Sequence, residues 1–203
     1  SWENYMEVPK YIMAGYLIMI KEIIDDLKDQ KISHVFLQAG VGGMAAAAIA
    51  GFAKFSKEIP RFIIVEPEDA KCVLESIKNS KPTSIDIKKE SIMGGMSCGD
   101  VSTVAWDILK NSANHCLSIS DEGISSTVAL LSNKVFSENK IIAGECGVPG
   151  IISLISLMKD KEKVKEVGIN VNSKILLIGC EGLTDQKMYD QLLKIGLEKI
   201  KDV

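Results

Sequence analysis

The sequence predicts an α/β fold of three layers, in which a mostly parallel β-sheet lies between two layers of helices. Segments with strand character alternate with segments of helical periodicity along the whole chain. The segments between successive strands are long enough to hold helices, as crossovers between parallel strands require. With 203 residues, of which 46% are hydrophobic and 25% charged, the chain can form one sizeable core, so we predict a single α/β domain over 1–203.

The N-terminal elements are predicted from the spacing of apolar residues. Residues 11–27 (YIMAGYLIMIKEIIDDL) carry apolar side chains at helical spacing and predict a helix. The apolar run 34–39 (HVFLQA) predicts a buried strand, and a second helix follows a glycine turn and continues through Phe55. Residues 61–66 (RFIIVE) predict the next strand, which Pro67 closes.

The rest of the chain continues the same alternation after one irregular section. Asp69 is predicted to cap a helix that continues through Ile77. Section 81–101 has no clear period and contains the stretch GGMSCG, and 141–143 is a short apolar piece. Further strands are predicted at 115–119 and 174–179, and further helices at 103–112, from Asp121, at 147–158 and after Asp185.

Charge and cysteine content exclude several classes of protein. A net charge of −3 and a pI of about 5.5 give no electrostatic basis for binding nucleic acid or an acidic membrane, and no apolar stretch approaches membrane-spanning length. The five cysteines lack CxxC spacing and the two histidines are isolated, so no zinc site is predicted. Reduced thiols and a cytoplasmic location are expected. The start at Ser1-Trp2, without Met or a secretory signal, suggests a segment of a longer protein.

The glycine turn after the first strand is the strongest functional signal. Residues 38–51 read QAGVGGMAAAAIAG, and glycines between a strand and a helix start expose backbone N–H groups that bind phosphate. Residues 40–45 also match G-x-G-x-x-G/A, with Glu66 at the end of the next strand, as in dinucleotide-binding folds. Close packing of strand and helix would also explain the glycines. Similar turns at 144–147 and 179–182 favour a compact ligand with a phosphate and a ring.

Several of these stretches together resemble a known family. The order QAGVGGMA, IIVEP, GGMSCG, AGECGVPG and ILLIGCEGLTD is similar to that of fold-type II pyridoxal phosphate enzymes, the group that includes tryptophan synthase β and threonine deaminase. Within this group, WENY and IMAGY near the start and EGLTD near the end resemble the diaminopropionate ammonia-lyases. The resemblance covers nearly the whole chain.

This resemblance implies pyridoxal 5'-phosphate as cofactor and suggests the residues that hold it. Cys180 would face the pyridine nitrogen, where a neutral thiol leaves the ring largely unprotonated and suits β-elimination. Glu145 would lie beside the cofactor, or alternatively act as an acid at a helix start. The cofactor phosphate would be bound by main-chain donors of five consecutive residues: Gly40, Val41, Gly42, Gly43 and Met44.

The resemblance also implies an activity that these residues cannot complete alone. The parent enzyme would remove both amino groups of 2,3-diaminopropionate, giving pyruvate and ammonia, and would be a homodimer. The family's Schiff-base lysine lies N-terminal to the glycine loop, and no lysine here matches its motif. We therefore expect an inactive C-terminal part of the enzyme, with a fold incomplete at its N-terminal side. The alternatives are a dinucleotide (NAD or FAD)-binding oxidoreductase domain and a non-catalytic regulatory or assembly domain.

Overall fold

The fold is described from a computed structural model of the chain, for residues 1–2, 4–28 and 30–201. In these residues the sheet has four strands, all parallel, in the order β3-β2-β1-β4. The strands are β1 (His34–Gln38), β2 (Arg61–Pro67), β3 (His115–Ile119) and β4 (Ile175–Leu177).

Helices cover both faces of this sheet. Two short 3₁₀ turns lie at Gly94–Met96 and Asp121–Gly123. The α-helices are α1 (Glu7–Leu27), α2 (Gly43–Phe55), α3 (Cys72–Lys78), α4 (Thr103–Ser112), α5 (Ile124–Ser132), α6 (Pro149–Met158), α7 (Lys161–Val167) and α8 (Gln186–Lys199). No helix in the described residues has the length and apolar character needed to cross a membrane.

The two central strands bury side chains on both faces, which explains why their sequences read as unbroken apolar runs. Because neighbouring side chains in a strand point to opposite faces, Val35 and Leu37 pack with α1, α2, α3 and α4, whereas Phe36 packs with α5, α6, α7 and α8. In β2, Ile64 belongs to the first of these cores and Ile63 to the second. The predicted three-layer α/β fold is confirmed.

The strand order places a crevice between β1 and β4. The chain proceeds outward from β1 to β2 to β3 and then returns, so that β4 pairs with the opposite edge of β1. The helices that follow β3 cover the other face of the sheet from those that precede it. At such a reversal the loops after the two strands diverge, and open α/β sheets bind ligands there.

Several predicted element boundaries are wrong. The first helix begins at Glu7 rather than Tyr11, and α7 was not predicted. Asp69 lies in a turn, and α3 begins three residues later at Cys72 because the Glu66 carboxylate accepts hydrogen bonds from its first turn. β4 ends at Leu177 rather than Gly179.

Two further boundaries differ for local reasons. The helix expected from Asp121 begins as a 3₁₀ turn, and α5 follows it from Ile124. The helix expected from Gly147 begins at Pro149, a residue with no N–H to lose in a first helical turn. The helix predicted after Asp185 does begin at Gln186, and Asp185 caps it by accepting a hydrogen bond from the Met188 amide at 2.9 Å.

Candidate functional site

A cleft of about 610 Å³ opens at the carboxyl ends of β1 and β4. Its walls come from the loop that joins β1 to α2, the first turns of α1, the 3₁₀ turn at Gly94–Met96 and the turn after β4. The cleft therefore lies at the reversal in strand order, where the fold class places its ligands.

The glycine loop forms one wall of the cleft, and all five residues expected to hold a phosphate line it: Gly40, Val41, Gly42, Gly43 and Met44. Gly42 is the residue before α2 and has φ of +87°, a left-handed conformation that favours glycine. No side chain of the described residues caps this helix end, so its first N–H groups remain available to an anion.

Close approach of the backbone explains a second glycine in the loop. A Cβ atom at Gly40 would lie 2.8 Å from the carbonyl oxygen of Gly95 and 3.0 Å from Sγ of Cys98. Any side chain at this position would therefore push the loop away from the 3₁₀ turn at Gly94–Met96. The loop shape depends on this missing side chain.

Cys180 lies across the cleft from the glycine loop, in the turn after β4. The residue is exposed, yet protein atoms packed around its sulfur raise the pKa of the thiol, so it is neutral at pH 7. A buried glutamine at the end of β1, Gln38, donates a hydrogen bond to this sulfur at 3.4 Å. A neutral thiol is thus present on the cleft wall, and its contact with a pyridine nitrogen stays a prediction.

Glu145 lies near the cleft but is not among the residues that line it. Burial raises the pKa of its carboxyl, and the neighbouring charges of Glu181 and Asp185 raise it further. The helix that follows, α6, has no side-chain cap among the described residues, so the structure does not show Glu145 capping it.

Glu181 occupies the cleft wall instead and was assigned no role from the sequence. Its carboxylate accepts a hydrogen bond from the Cys146 amide at 2.5 Å, which ties the turn after β4 to the turn at 144–147. Burial raises the pKa of the Cys146 thiol to about 12, so the thiol is protonated at neutral pH. In the sequence, the EG pair at 181–182 predicts a tight turn. It does not indicate that the Glu181 carboxylate binds the Cys146 amide.

Helix α1 gives the cleft an apolar side. Ile12 and Met13 line the cleft, together with the rings of Tyr5 and Tyr16. None of the residues that line it, within the described part of the chain, is a lysine. The walls can therefore bind a phosphate and cover a flat ring, but they offer no amine to form a covalent bond with it.

Glu66 does not face a ligand. Its side chain is fully buried, and its two carboxylate oxygens accept hydrogen bonds from the amides of Val73 at 2.7 Å and Leu74 at 2.8 Å. A dinucleotide site would need this acid to bind a ribose hydroxyl. The Glu66 carboxylate instead accepts hydrogen bonds from N–H groups in the first turn of α3. The dinucleotide interpretation therefore lacks the acidic residue that would bind the ribose.

The buried position of Glu66 predicts a pH-dependent stability. Burial raises the pKa of Glu66 to about 7, so the folded state favours the protonated carboxyl. The protonated Glu66 therefore stabilises the folded state. This stabilisation is fully present below pH 4.5, the ordinary pKa of the group, and is lost as the pH rises towards 7. We expect the free energy of unfolding in urea to fall by about 3 kcal/mol from this group between pH 4.5 and 8.

The matching variants are Glu66→Gln and, as control, Glu68→Gln at a neighbouring exposed position. Glu66→Gln should lose most of this pH dependence because the amide does not ionise. Glu68→Gln should keep it. If the two variants and the unchanged protein give the same slope of stability against pH, Glu66 does not titrate in this range.

Fold and cleft together define a class of protein. A parallel α/β sheet has a glycine loop with free N–H groups after one strand and a neutral thiol in the turn after the neighbouring strand, with a cleft between them. These are the features of an α/β domain that binds a compact phosphorylated ring cofactor.

Comparison with known proteins identifies the family. The profile of pyridoxal-phosphate dependent enzymes matches residues 2–170, and the chain belongs to that family. It is 29% identical to diaminopropionate ammonia-lyase of Escherichia coli (strain K12) over 97% of this chain and 51% of that protein. It is 28% identical to an L-threonine dehydratase of Staphylococcus saprophyticus over 71% of this chain and 33% of that protein.

Solved structures agree with this assignment. Holo diaminopropionate ammonia lyase from Escherichia coli superposes with a TM-score of 0.86 at 30% identity, over 97% of this chain and 50% of that one. The same enzyme in complex with D-serine gives a TM-score of 0.85 at 30% identity, with the same coverage. The chain thus spans about half the length of these relatives.

The residues of the cleft fit the cofactor of this family, pyridoxal phosphate. The N–H groups at the start of α2 suit its phosphate, because no side chain of the described residues caps this helix end. Deeper in the cleft, the Oε1 atom of Gln38 is a buried acceptor with no hydrogen-bond partner among the described residues. A buried polar atom of this kind is typical of a wall that meets a polar ligand.

Proposed function

We propose that this chain is the cofactor-holding part of a pyridoxal phosphate-dependent ammonia-lyase that converts 2,3-diaminopropionate to pyruvate and ammonia. The observation that carries this proposal is the glycine loop facing Cys180 across the cleft between β1 and β4. The similarity to diaminopropionate ammonia-lyase over 97% of the chain supports the choice of substrate. The D-serine complex of the Escherichia coli enzyme supports a small amino acid as ligand.

The residues of the cleft have separable tasks in this proposal. The N–H groups at the start of α2 hold the phosphate, and the apolar side chains of α1 shield one side of the ring from water. Cys180 offers a neutral group to the pyridine nitrogen. Pyridoxal phosphate supplies the electron sink that stabilises negative charge at the substrate α-carbon during elimination. We assign Glu145 an indirect role, because it does not line the cleft but lies beside Glu181, which does.

The amine that carries the cofactor covalently belongs, in this proposal, to a part of the parent enzyme outside these 203 residues. This follows from the absence of a lysine among the described residues that line the cleft. We propose that 1–203 forms one domain of that enzyme and has no activity by itself. The homodimer stays a prediction from the resemblance, and the cytoplasmic location stays a prediction from the cysteine pattern.

Binding of pyridoxal phosphate to this chain tests the cofactor assignment. We expect saturable binding in equilibrium dialysis, competed by inorganic phosphate, because the helix start binds the phosphate. Borohydride should not fix the ligand to the cleft, because its described lining has no lysine. Saturable binding of a nicotinamide dinucleotide without any of pyridoxal phosphate would overturn the assignment.

The activity is tested on the longer enzyme with 2,3-diaminopropionate as substrate. Pyruvate is measured by a coupled dehydrogenase, and we expect both amino groups to appear as ammonia for each pyruvate formed. Serine and threonine serve as competing substrates. A longer enzyme that binds pyridoxal phosphate but releases no pyruvate from the diamino acid would contradict the proposed substrate and leave the cofactor assignment intact.

A further inference from the structure

Gln38 is a polar residue that is almost completely buried. It is the last residue of β1, and only 4% of its surface is exposed. The ladder between β1 and β4 ends with Phe36 beside Leu177, so Gln38 lies just beyond the point where β4 leaves the sheet. Its side chain nevertheless reaches the cleft.

The amide of Gln38 connects three segments of the chain. Its Nε2 atom donates to the carbonyl oxygen of Ile178 at 2.6 Å and to that of Cys146 at 3.1 Å. The Sγ atom of Cys180 lies 3.4 Å from the same nitrogen. The side chain thus replaces the backbone ladder where β4 diverges, and it joins the turn at 144–147 to the turn that carries Cys180.

These contacts also fix the orientation of the amide. If the group were turned over, its oxygen would meet the carbonyl oxygens of Ile178 and Cys146, and both contacts would be repulsive. The Oε1 atom must therefore point away from them. It is buried and has no donor within the part of the chain that the structure describes.

We propose that Gln38 is a positioning residue that holds the Cys180 thiol and the 144–147 turn in place around the cofactor ring. This inference rests on the proposed function, because it takes the ligand of the cleft to be pyridoxal phosphate. Gln38 acts through Cys180 and the Cys146 carbonyl.

The contact with Cys180 gives a readout that does not require the cofactor. Desolvation raises the pKa of the Cys180 thiol, and the hydrogen bond from Gln38 lowers it in part because an N–H donor stabilises a thiolate. Removing the donor should therefore raise this pKa further. A residue that only filled space would have no such effect on the thiol.

The first experiment measures how fast Cys180 is alkylated by iodoacetamide across pH, with each cysteine resolved by peptide mass spectrometry. In Gln38→Met, which keeps the length but removes the donor, the midpoint for Cys180 should rise. The half-buried Cys98 serves as internal reference and should keep its profile. Gln186→Met, at an exposed site on α8, is the matched control and should leave Cys180 unchanged.

The second experiment is a double-mutant cycle on the affinity for pyridoxal phosphate. With Cys180 present, Gln38→Met should weaken the binding of pyridoxal phosphate about tenfold. In the Cys180→Ala background the same substitution should weaken binding clearly less, because the two residues act as one unit. If Gln38→Met does not fold, Gln38→Asn replaces it, since it keeps the amide but withdraws it by one methylene. The same direction of change is expected.

Two results would overturn the inference. One is an unchanged midpoint for Cys180 in the Gln38 variant, and the other is a cycle in which the two substitutions are additive. Failure of the unchanged chain to bind pyridoxal phosphate would instead count against the proposed function. The alkylation profile would still decide whether Gln38 controls the thiol.

Discussion

Gly42→Val is expected to weaken phosphate binding at the start of α2 about 100-fold and to destabilise the fold. The left-handed φ of +87° at this position disfavours a branched side chain, at a cost of about 1–2 kcal/mol. A Cβ atom would also lie 2.7 Å from Cδ1 of Leu109, which is fully buried. With the cost of overpacking, the free energy of unfolding should fall by about 3 kcal/mol.

The loss of binding follows from the same change in the loop. If valine moves Gly42 to negative φ, the N–H groups at the start of α2 no longer converge, and two charge-assisted hydrogen bonds to the phosphate are lost. This corresponds to about a 100-fold weaker affinity for pyridoxal phosphate. Affinity is measured by equilibrium dialysis and stability by urea unfolding.

Gly15→Ala is the control for this variant, since Gly15 does not line the cleft and a Cβ atom there meets no atom within 4 Å. It should bind pyridoxal phosphate like the unchanged chain. If Gly42→Val retained full affinity while folded, the phosphate would have to bind elsewhere, and the placement of the site at the glycine loop would be wrong.

Gly196→Ala should cause the largest loss of stability among single substitutions of a small residue by alanine. A Cβ atom at Gly196 would overlap the carbonyl oxygen of Ser125 and lie 2.8 Å from Cβ of Ala129. The first of these neighbours is backbone in α5, which cannot rotate away. Helix α8 must then move off α5, and we expect a loss of about 3–5 kcal/mol.

Thermal unfolding measures this effect, and a chain of this size should melt about 10 °C lower. Gly15→Ala is the control, because Gly15 is exposed within α1 and a Cβ atom there meets no atom within 4 Å. That substitution should stabilise the protein by about 0.5–1 kcal/mol through helix propensity. A stability of Gly196→Ala equal to that of the unchanged chain would refute the close packing of α5 against α8.

Local chemistry explains which elements could be predicted. The four strands were predicted because each is a short apolar run between turn residues, and the long helices because their apolar spacing persists over several turns. Two of the errors lie where a distant group decides the boundary. The start of α3 depends on a carboxylate in β2, and a three-residue strand such as β4 is set by its neighbour rather than by its own sequence.

The same distinction applies to the site. The glycine loop was predicted to line a phosphate site because its glycines, its position after a strand and the helix that follows are adjacent in sequence. The location of Cys180 on the opposite wall agrees with the resemblance. Gln38 and Glu181 received no predicted role, because their partners lie 108 and 35 residues away along the chain.

The sequence by itself determined the alternation of strands and helices, the three-layer class and the glycine loop at the start of α2. These features depend on side-chain spacing and backbone geometry within a few residues. Only the tertiary structure decided that β4 returns to the side of β1, which brings Cys180 to the cleft and lets Gln38 bridge two turns. Strand order is set by packing against both layers of helices, and no local pattern records that contact.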